Sequence, residues 1–406
     1  MSLKSVFILF LFAQNLSIYS QPMEEKEPRN HWIGQLQMND RLSVPFDFFF
    51  DIKELKNGLI IQNGSENLFL KLKKKKDSII AYFKEIDAQL VYTINQKSIR
   101  GYWINHNKKN TIKIPFSAYK TNQNKFEIPI DALSDSTMLK NHYKVKFLKT
   151  NKWSIGKFKS KNGAWEGTFM TETGDYRFFS GYCFENKFKL SSFNGNWAML
   201  VQGEIYQDSI HGILYSGVSF STEFDGEFDP TFKLGNPNEL TSVVNDESFN
   251  FIGIKTLRNS QFDYSKNNGK VVIYQIMGTW CPNCIDEMNY YKELTAKYQK
   301  QGLTINALAY EIPQNNVKSN LKKLKKFKKR MKLNYPIYFA GKPSTELASS
   351  HFPMLNRVMS YPTSIVLDKK GNIRKVHTGF NGPATGLSYE QFKIEMDDLI
   401  KQILNE

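Results

Sequence analysis

Cys281 and Cys284 stand three residues apart in the stretch GTWCPNC (278–284), directly after the apolar run KVVIYQIM (270–277). Two thiols at this spacing can exchange with a disulfide, supply half of a metal site, or close a small structural loop. The apolar run reads as a strand and the residues after it as the start of a helix. Cys281 then falls in the first helical turn, where unpaired backbone N–H groups and the helix dipole favour an anion. A thiol of ordinary pKa, about 8.5, is only a few per cent thiolate at neutral pH, and at a pKa of about 7 half of it is reactive. That shift corresponds to about 2 kcal/mol of preference for the thiolate. The spacing puts Cys284 one turn deeper, placed to resolve a mixed disulfide formed by Cys281. Zinc needs four ligands, and neither a second cysteine pair nor ligand spacing at His351 or His377 is present. A structural disulfide closing so short a loop removes little chain entropy. Exchange is the chemistry these residues suit best, with no metal and no cofactor expected.

The elements that must hold this pair lie in the last two fifths of the chain. From about residue 241, apolar runs alternate with helical patterns: NFIGIKTL, KVVIYQIM, a helix from Cys281 to about Gln301, and LTINALAY. A basic helix, YPIYFA, two closing strands and a last helix from Ser388 follow, the last with Ser388 and Gln391 as a capping box. Such an order predicts an α/β domain with a mixed sheet and helices on both faces. Residues 30–235 differ: short alternating runs broken by Gly, Asn, Asp and Lys predict an all-β meander sandwich or barrel. A weak repeat (Trp32-x-Gly34, Ile99-x-Gly101, Trp165-x-Gly167, Ile210-x-Gly212) runs through it, and FKLGNPNELTS (232–242) reads as the linker. Cys183, in SGYCFEN, reads as a small buried apolar residue.

Together, GTWCPNC after the central strand and SYPTSIVLDKKGNI (360–373) resemble the TlpA/ResA group of exported thiol–disulfide oxidoreductases, which have the thioredoxin fold. The resemblance covers residues 241–406. It implies Cys281 and Cys284 as the redox-active disulfide, and a cis proline at Pro362 that leaves Tyr361 open to pair with substrate. Trp280 and Pro282 would complete the substrate surface, with Trp280 shielding the dithiol. Glu311, at the end of LTINALAYE, matches the acidic residue that serves the proton of the buried cysteine in that group. The resemblance further implies disulfide-bearing protein clients, an electron-donating membrane thiol–disulfide partner, and reduction as the direction. Pro282–Asn283 and Tyr361 depart from the commonest choices of the group, at positions that tune redox potential and client fit. The alternatives are an oxidase or isomerase of the same fold, or a binding protein whose β-rich part captures a ligand or surface partner.

The N-terminal MSLKSVFILFLFAQNLSIYSQP has a lysine, an apolar run from Val6 to Phe12 and small or polar residues near Ser20. This is the layout of a signal peptide over residues 1–20, and the run is shorter than the roughly 20 residues of a membrane-spanning helix. Export, to the periplasm of a Gram-negative bacterium, is the expected address. Three cysteines in 406 residues are too few for a disulfide-stapled exterior protein, so stability must come from cores. A net charge of +16 raises nucleic acid as a partner, which an export signal argues against. The densest basic stretch, VKSNLKKLKKFKKRMK (317–332), places Val317, Leu321, Leu324, Phe327 and Met331 on one stripe. A helix docked by that stripe with a solvated lysine face is expected, and contact with a membrane surface is the lesser alternative. In the reduced protein, Cys281 should alkylate at neutral pH much faster than Cys183 or Cys284. Mass spectrometry of timed iodoacetamide labelling measures this, and equal rates would remove the activated-thiolate reading.

Overall fold

A computed structural model describes residues 30–51, 58–108, 110–126, 139–161, 164–312 and 316–406. The signal-peptide reading of residues 1–20 lies outside the described residues. The β-rich stretch folds as two sheets. Eight strands from β1 (Asn30–Asn39) to β8 (Ile112–Lys120) close into a barrel through the antiparallel β1–β8 pairing. Period-2 alternation drives closure: Leu36, Phe46, Phe48, Leu59, Ile61, Leu90 and Phe116 all point inward and are buried.

Nine strands, β9 (His142–Phe147) to β17 (Phe220–Phe228), form the second sheet. Here β10 (Lys152–Lys161) pairs with both β9 and β11 (Ala164–Thr171), so this sheet also closes on itself, with the short β12 (Gly174–Asp175) hanging from β11. Phe147, Phe169, Phe188 and Phe224 fill it, and Cys183 lies among them, its thiol pushed up to about 11 by burial. At the repeat position Gly101, a side chain would strike the backbone of Val91 and Tyr92 on the neighbouring strand, so the glycine permits a close strand approach.

The two sheets share packing. Phe193, at the end of β14 (Lys187–Phe193), plugs the first barrel, its ring 4.7 Å from Phe46 and 5.1 Å from Trp103. Asn63 fixes it there by bonding the Phe193 backbone at both N–H and C=O, each at 3.1 Å.

The C-terminal sheet has the order β20 (Ile337–Gly341), β19 (Leu303–Tyr310), β18 (Val271–Met277), β21 (Thr363–Leu367), β22 (Ile373–Thr378). The first three run parallel, and β21 and β22 are antiparallel to their neighbours. Every residue of β18 is buried because both faces are covered. Val271, Ile273 and Met277 meet α1 (Pro282–Tyr298), α2 (Val317–Met331) and α4 (Leu387–Asn405). Val272, Tyr274 and Ile276 meet α3 (Thr345–His351) and an aromatic group around Phe251, Phe262 and Phe352.

Local details differ from the sequence-based expectation. NFIGIKTL is no strand: Gly253 turns the chain with φ +88°, and only Lys255 pairs, exchanging bonds of 2.9 and 2.8 Å with Phe339 at the sheet edge. No capping box starts α4, because Gly386 is its N-cap and Ser388 Oγ instead accepts from Lys157 at 3.0 Å. On α2, Val317 is exposed and Asn320 takes its place in the buried stripe with Leu321, Leu324, Phe327 and Met331.

Where the two β-rich sheets meet α1, Arg177 is buried among carboxyls from all three. Its guanidinium lies 2.7 Å from Glu66, 3.1 Å from Asp286 on α1 and 3.9 Å from Glu85. Burial works against its charge, but Asp286, Glu66, Glu85 and Asp175 together raise its pKa above the ordinary guanidinium value. Burial pushes the Asp286 and Asp175 carboxyls up and Arg177 opposes this, so removing the cation leaves buried carboxyls without a counter-charge, which typically costs about 3–5 kcal/mol. Arg177→Ala should therefore lower unfolding stability by that amount in urea titration, and Asp286→Asn, which relieves one repulsion, by clearly less.

Candidate active site

The chain leaves β18 through Gly278, where a side chain would collide with the Trp280 indole folded back over it. Cys281 is the N-cap of α1, Pro282 takes the first helical position, and Cys281 and Cys284 form a disulfide. The Cys284 N–H donates to Cys281 Sγ at 3.2 Å, so an otherwise unpaired helix-start donor points at that sulfur. Cys281 is 6% exposed and Cys284 is fully buried, which leaves the first sulfur as the one a substrate can meet.

Opposite the disulfide, the Tyr361–Pro362 peptide bond is cis, and the Tyr361 carbonyl oxygen lies 3.5 Å from Cys281 Sγ. The Tyr361 ring stands edge-on to Trp280, with centroids 5.5 Å apart, and the Trp280 Nε1–H donates to the Tyr310 carbonyl at 2.9 Å. Trp280, Cys281, Pro282, Tyr361 and Pro362 are thus gathered at one place.

Glu311 is fully buried and committed elsewhere in the site. Its oxygens accept from the Thr279 N–H at 2.8 Å and the Thr279 hydroxyl at 2.7 Å, and pair with Lys323 at 2.8 Å. Lys323 leaves the solvated lysine face of α2 to reach it. What Glu311 grips is the loop that carries Trp280 and Cys281.

A second buried carboxyl, Glu287, lies one turn after Cys284 on α1 and was not singled out from sequence. It accepts from Gln275 Nε2 at 2.7 Å and Ser364 Oγ at 2.8 Å, and the same Gln275 amide lies 3.5 Å from the Cys284 carbonyl. Burial pushes Glu287 up to about 7, against the hydrogen bonds from Gln275 and Ser364. The signal that could have found it is Gln275, a polar residue inside a strand that is otherwise apolar.

Also unforeseen is the β-rich wall. A cleft of about 480 Å³ has Trp280 to Asn283 on one side and Asn194, Trp197 and Phe220 on the other. Contacts hold the walls together: Asn196 Nδ2 donates to the Trp280 carbonyl at 2.8 Å, and the Gly382 N–H donates to Asp175 at 2.7 Å. At Gly174, any side chain would strike the Asn283 amide. Chemically, the arrangement offers one approachable sulfur, a buried partner sulfur and, one turn along the same helix, a buried carboxyl whose pKa burial raises to about 7.

The Redoxin family matches residues 238–390. The thiol-disulfide oxidoreductase ResA of Geobacillus kaustophilus is 31% identical over 141 residues, covering 35% of this chain and 73% of that protein. ResA of Geobacillus thermodenitrificans is 35% identical over 111 residues, 27% of this chain and 56% of its own length. Among solved structures, a thioredoxin-family thiol:disulfide interchange protein from Chlorobium tepidum aligns at 22% identity and TM-score 0.29, covering 39% of this chain and 99% of its own. With a dithiol at a helix start and these relatives over its C-terminal part, the chain belongs to the TlpA/ResA-like family of thiol–disulfide oxidoreductases, with an all-β extension on its N-terminal side.

Proposed function

We propose that the protein reduces disulfides of protein clients outside the cytoplasm, with residues 241–406 carrying the exchange and residues 30–235 shaping access to it. The observation that carries this reading is the order of the two cysteines, Cys281 slightly exposed and Cys284 fully buried, with a helix-start N–H aimed at the outer sulfur. In the reduced protein, the Cys281 thiolate attacks one sulfur of the client disulfide. A Cys281–client bond forms and the other client sulfur leaves as a thiolate. Cys284, deprotonated, then attacks Cys281 Sγ and releases the second client thiolate. Two electrons pass from the dithiol to the client, both client sulfurs take up protons, and an external dithiol partner restores the reduced pair. Trp280, Pro282, Tyr361 and Pro362 hold the client chain beside Cys281. Glu287 accepts the Cys284 proton, and Glu311 acts as a positioning residue for the loop through Thr279.

Cys284→Ser permits the first step and removes the second, so client–Cys281 mixed disulfides should accumulate, while Cys281→Ser traps little. Non-reducing gels of each variant, expressed with its leader, read the trapped species. Preferential trapping by Cys281→Ser would reverse the roles of the two sulfurs. No trapping by either variant, with both folded, would favour a binding protein.

Glu287 gives a pH test with a defined sign. Its folded-state value is raised from 4.5 to about 7, so the folded protein holds an extra proton between those limits. Stability should fall as pH rises through that window, by up to about 3 kcal/mol, and Glu287→Gln should flatten the fall. The pH–rate profile of exchange should lose its inflection near neutrality in the same variant, whereas Glu311→Gln should retain it.

A further inference from the structure

The sulfur proposed to meet substrate lines a cleft whose far wall belongs to the β-rich region, and that wall is built to stay in place. Four residues, Asn194–Trp197, join β14 to β15 (Ala198–Tyr206) and form it. The Asn194 side chain turns the loop on itself, accepting from the N–H groups of Asn196 at 3.0 Å and Trp197 at 2.9 Å. The first barrel holds the loop from behind: Trp103 Nε1 donates to the Gly195 carbonyl and Asn105 Nδ2 to the Asn196 carbonyl, both at 3.1 Å. In front, Asn196 Nδ2 donates to the Trp280 carbonyl at 2.8 Å, next to Cys281. One loop of the second sheet is therefore fixed to the first barrel and to the redox loop at once.

Such a wall leaves Trp197 projecting. Its side chain lines the cleft yet remains 38% exposed, as does Phe220 beside it. An indole held rigidly and left open beside a reactive sulfur is a contact surface for an apolar group. Two lysines stand over these rings: Lys108 Nζ lies 3.2 Å above the Trp197 ring and Lys149 4.9 Å from Phe220.

We infer that Trp197 and Phe220 are specificity-determining residues that seat a bulky apolar side chain next to the attacked cysteine of an extended client segment. This rests on the exchange reading above and names its substrate class. With Cys281 only 6% exposed beside a fixed wall, an extended chain entering between the walls suits it better than a disulfide on a flat, folded surface. Because Cys281 lines the cleft, the exchange reading requires the occupant to bring a disulfide.

The test compares reduction, with dithiothreitol as electron source, of three disulfides by the full chain. Two are peptides with phenylalanine or alanine beside one cysteine, and the third is oxidised glutathione. The wild-type protein should prefer the phenylalanine peptide in kcat/KM by about tenfold, or about 1.4 kcal/mol. Trp197→Ala should bring that preference down to about twofold or less, and Trp197→Phe should restore most of it, which a general folding defect would not do. An undiminished preference in Trp197→Ala, or a wild-type preference for glutathione, would overturn the inference while leaving disulfide reduction intact. Failure of the wild-type protein to reduce any of the three would overturn both this inference and the exchange reading.

Discussion

The N–H groups left unpaired at the start of α1 are the constraint on which the rest of the site depends. A helix cannot satisfy its own first donors, and here one of them, from Cys284, is given to a sulfur. Everything nearby keeps that sulfur at the helix start and open to the cleft. β18, buried on both faces, fixes where the helix begins, and Gly278 lets Trp280 fold back over the exit of the strand. Glu311 and Lys323 hold the loop from one side through Thr279, and Asn196 holds it from the other through Trp280. A loop gripped from two sides keeps its sulfur in a set position without help from substrate, a form of preorganisation.

The same arrangement explains why two closed sheets accompany a redox domain. Phe193 plugs one barrel while belonging to the other sheet, and the next four residues reach the dithiol. The Arg177 cluster draws carboxylates from both sheets and from α1 onto one cation. Buried ion pairs contribute little net stability compared with apolar packing, but they are intolerant of misplacement. Their effect here is to fix the position of the wall relative to α1, and so the shape of the cleft into which Cys281 opens.

How much of this was legible in the sequence follows from how local each feature is. The Cys281–Cys284 pair, its strand and its helix depend on neighbours within a few residues, and they could be read directly. Tyr361 and Pro362 lie some 80 positions away and were legible only through resemblance to a family. Glu287 was missed because a glutamate beside Asp286 on a helix looks like a surface charge. Its burial comes from Gln275 and Ser364 on two other strands. The NGNW turn at 194–197 reads as an ordinary hairpin loop, since nothing local shows that Trp103 and Asn105 hold it against Trp280. The capping box at Ser388 failed for a comparable reason: Lys157, from a distant strand, engages the serine, and Gly386 begins the helix.

The direction of exchange is set by how much the reduced pair gains from its thiolate. A strongly stabilised thiolate makes a dithiol hard to oxidise and its disulfide an oxidant. At Cys281 the helix-start N–H favours the anion, but the Tyr361 carbonyl oxygen, 3.5 Å from the sulfur, opposes it. The reductase reading proposed above requires the balance of these two contacts to leave the thiolate only moderately stabilised. The reduction potential of the Cys281–Cys284 couple, measured by equilibrating the full chain with thiol–disulfide buffers and counting free thiols, tests this most directly. A value near that of thioredoxin, about −270 mV, is the expected result, and a value near that of DsbA, about −120 mV, would contradict it.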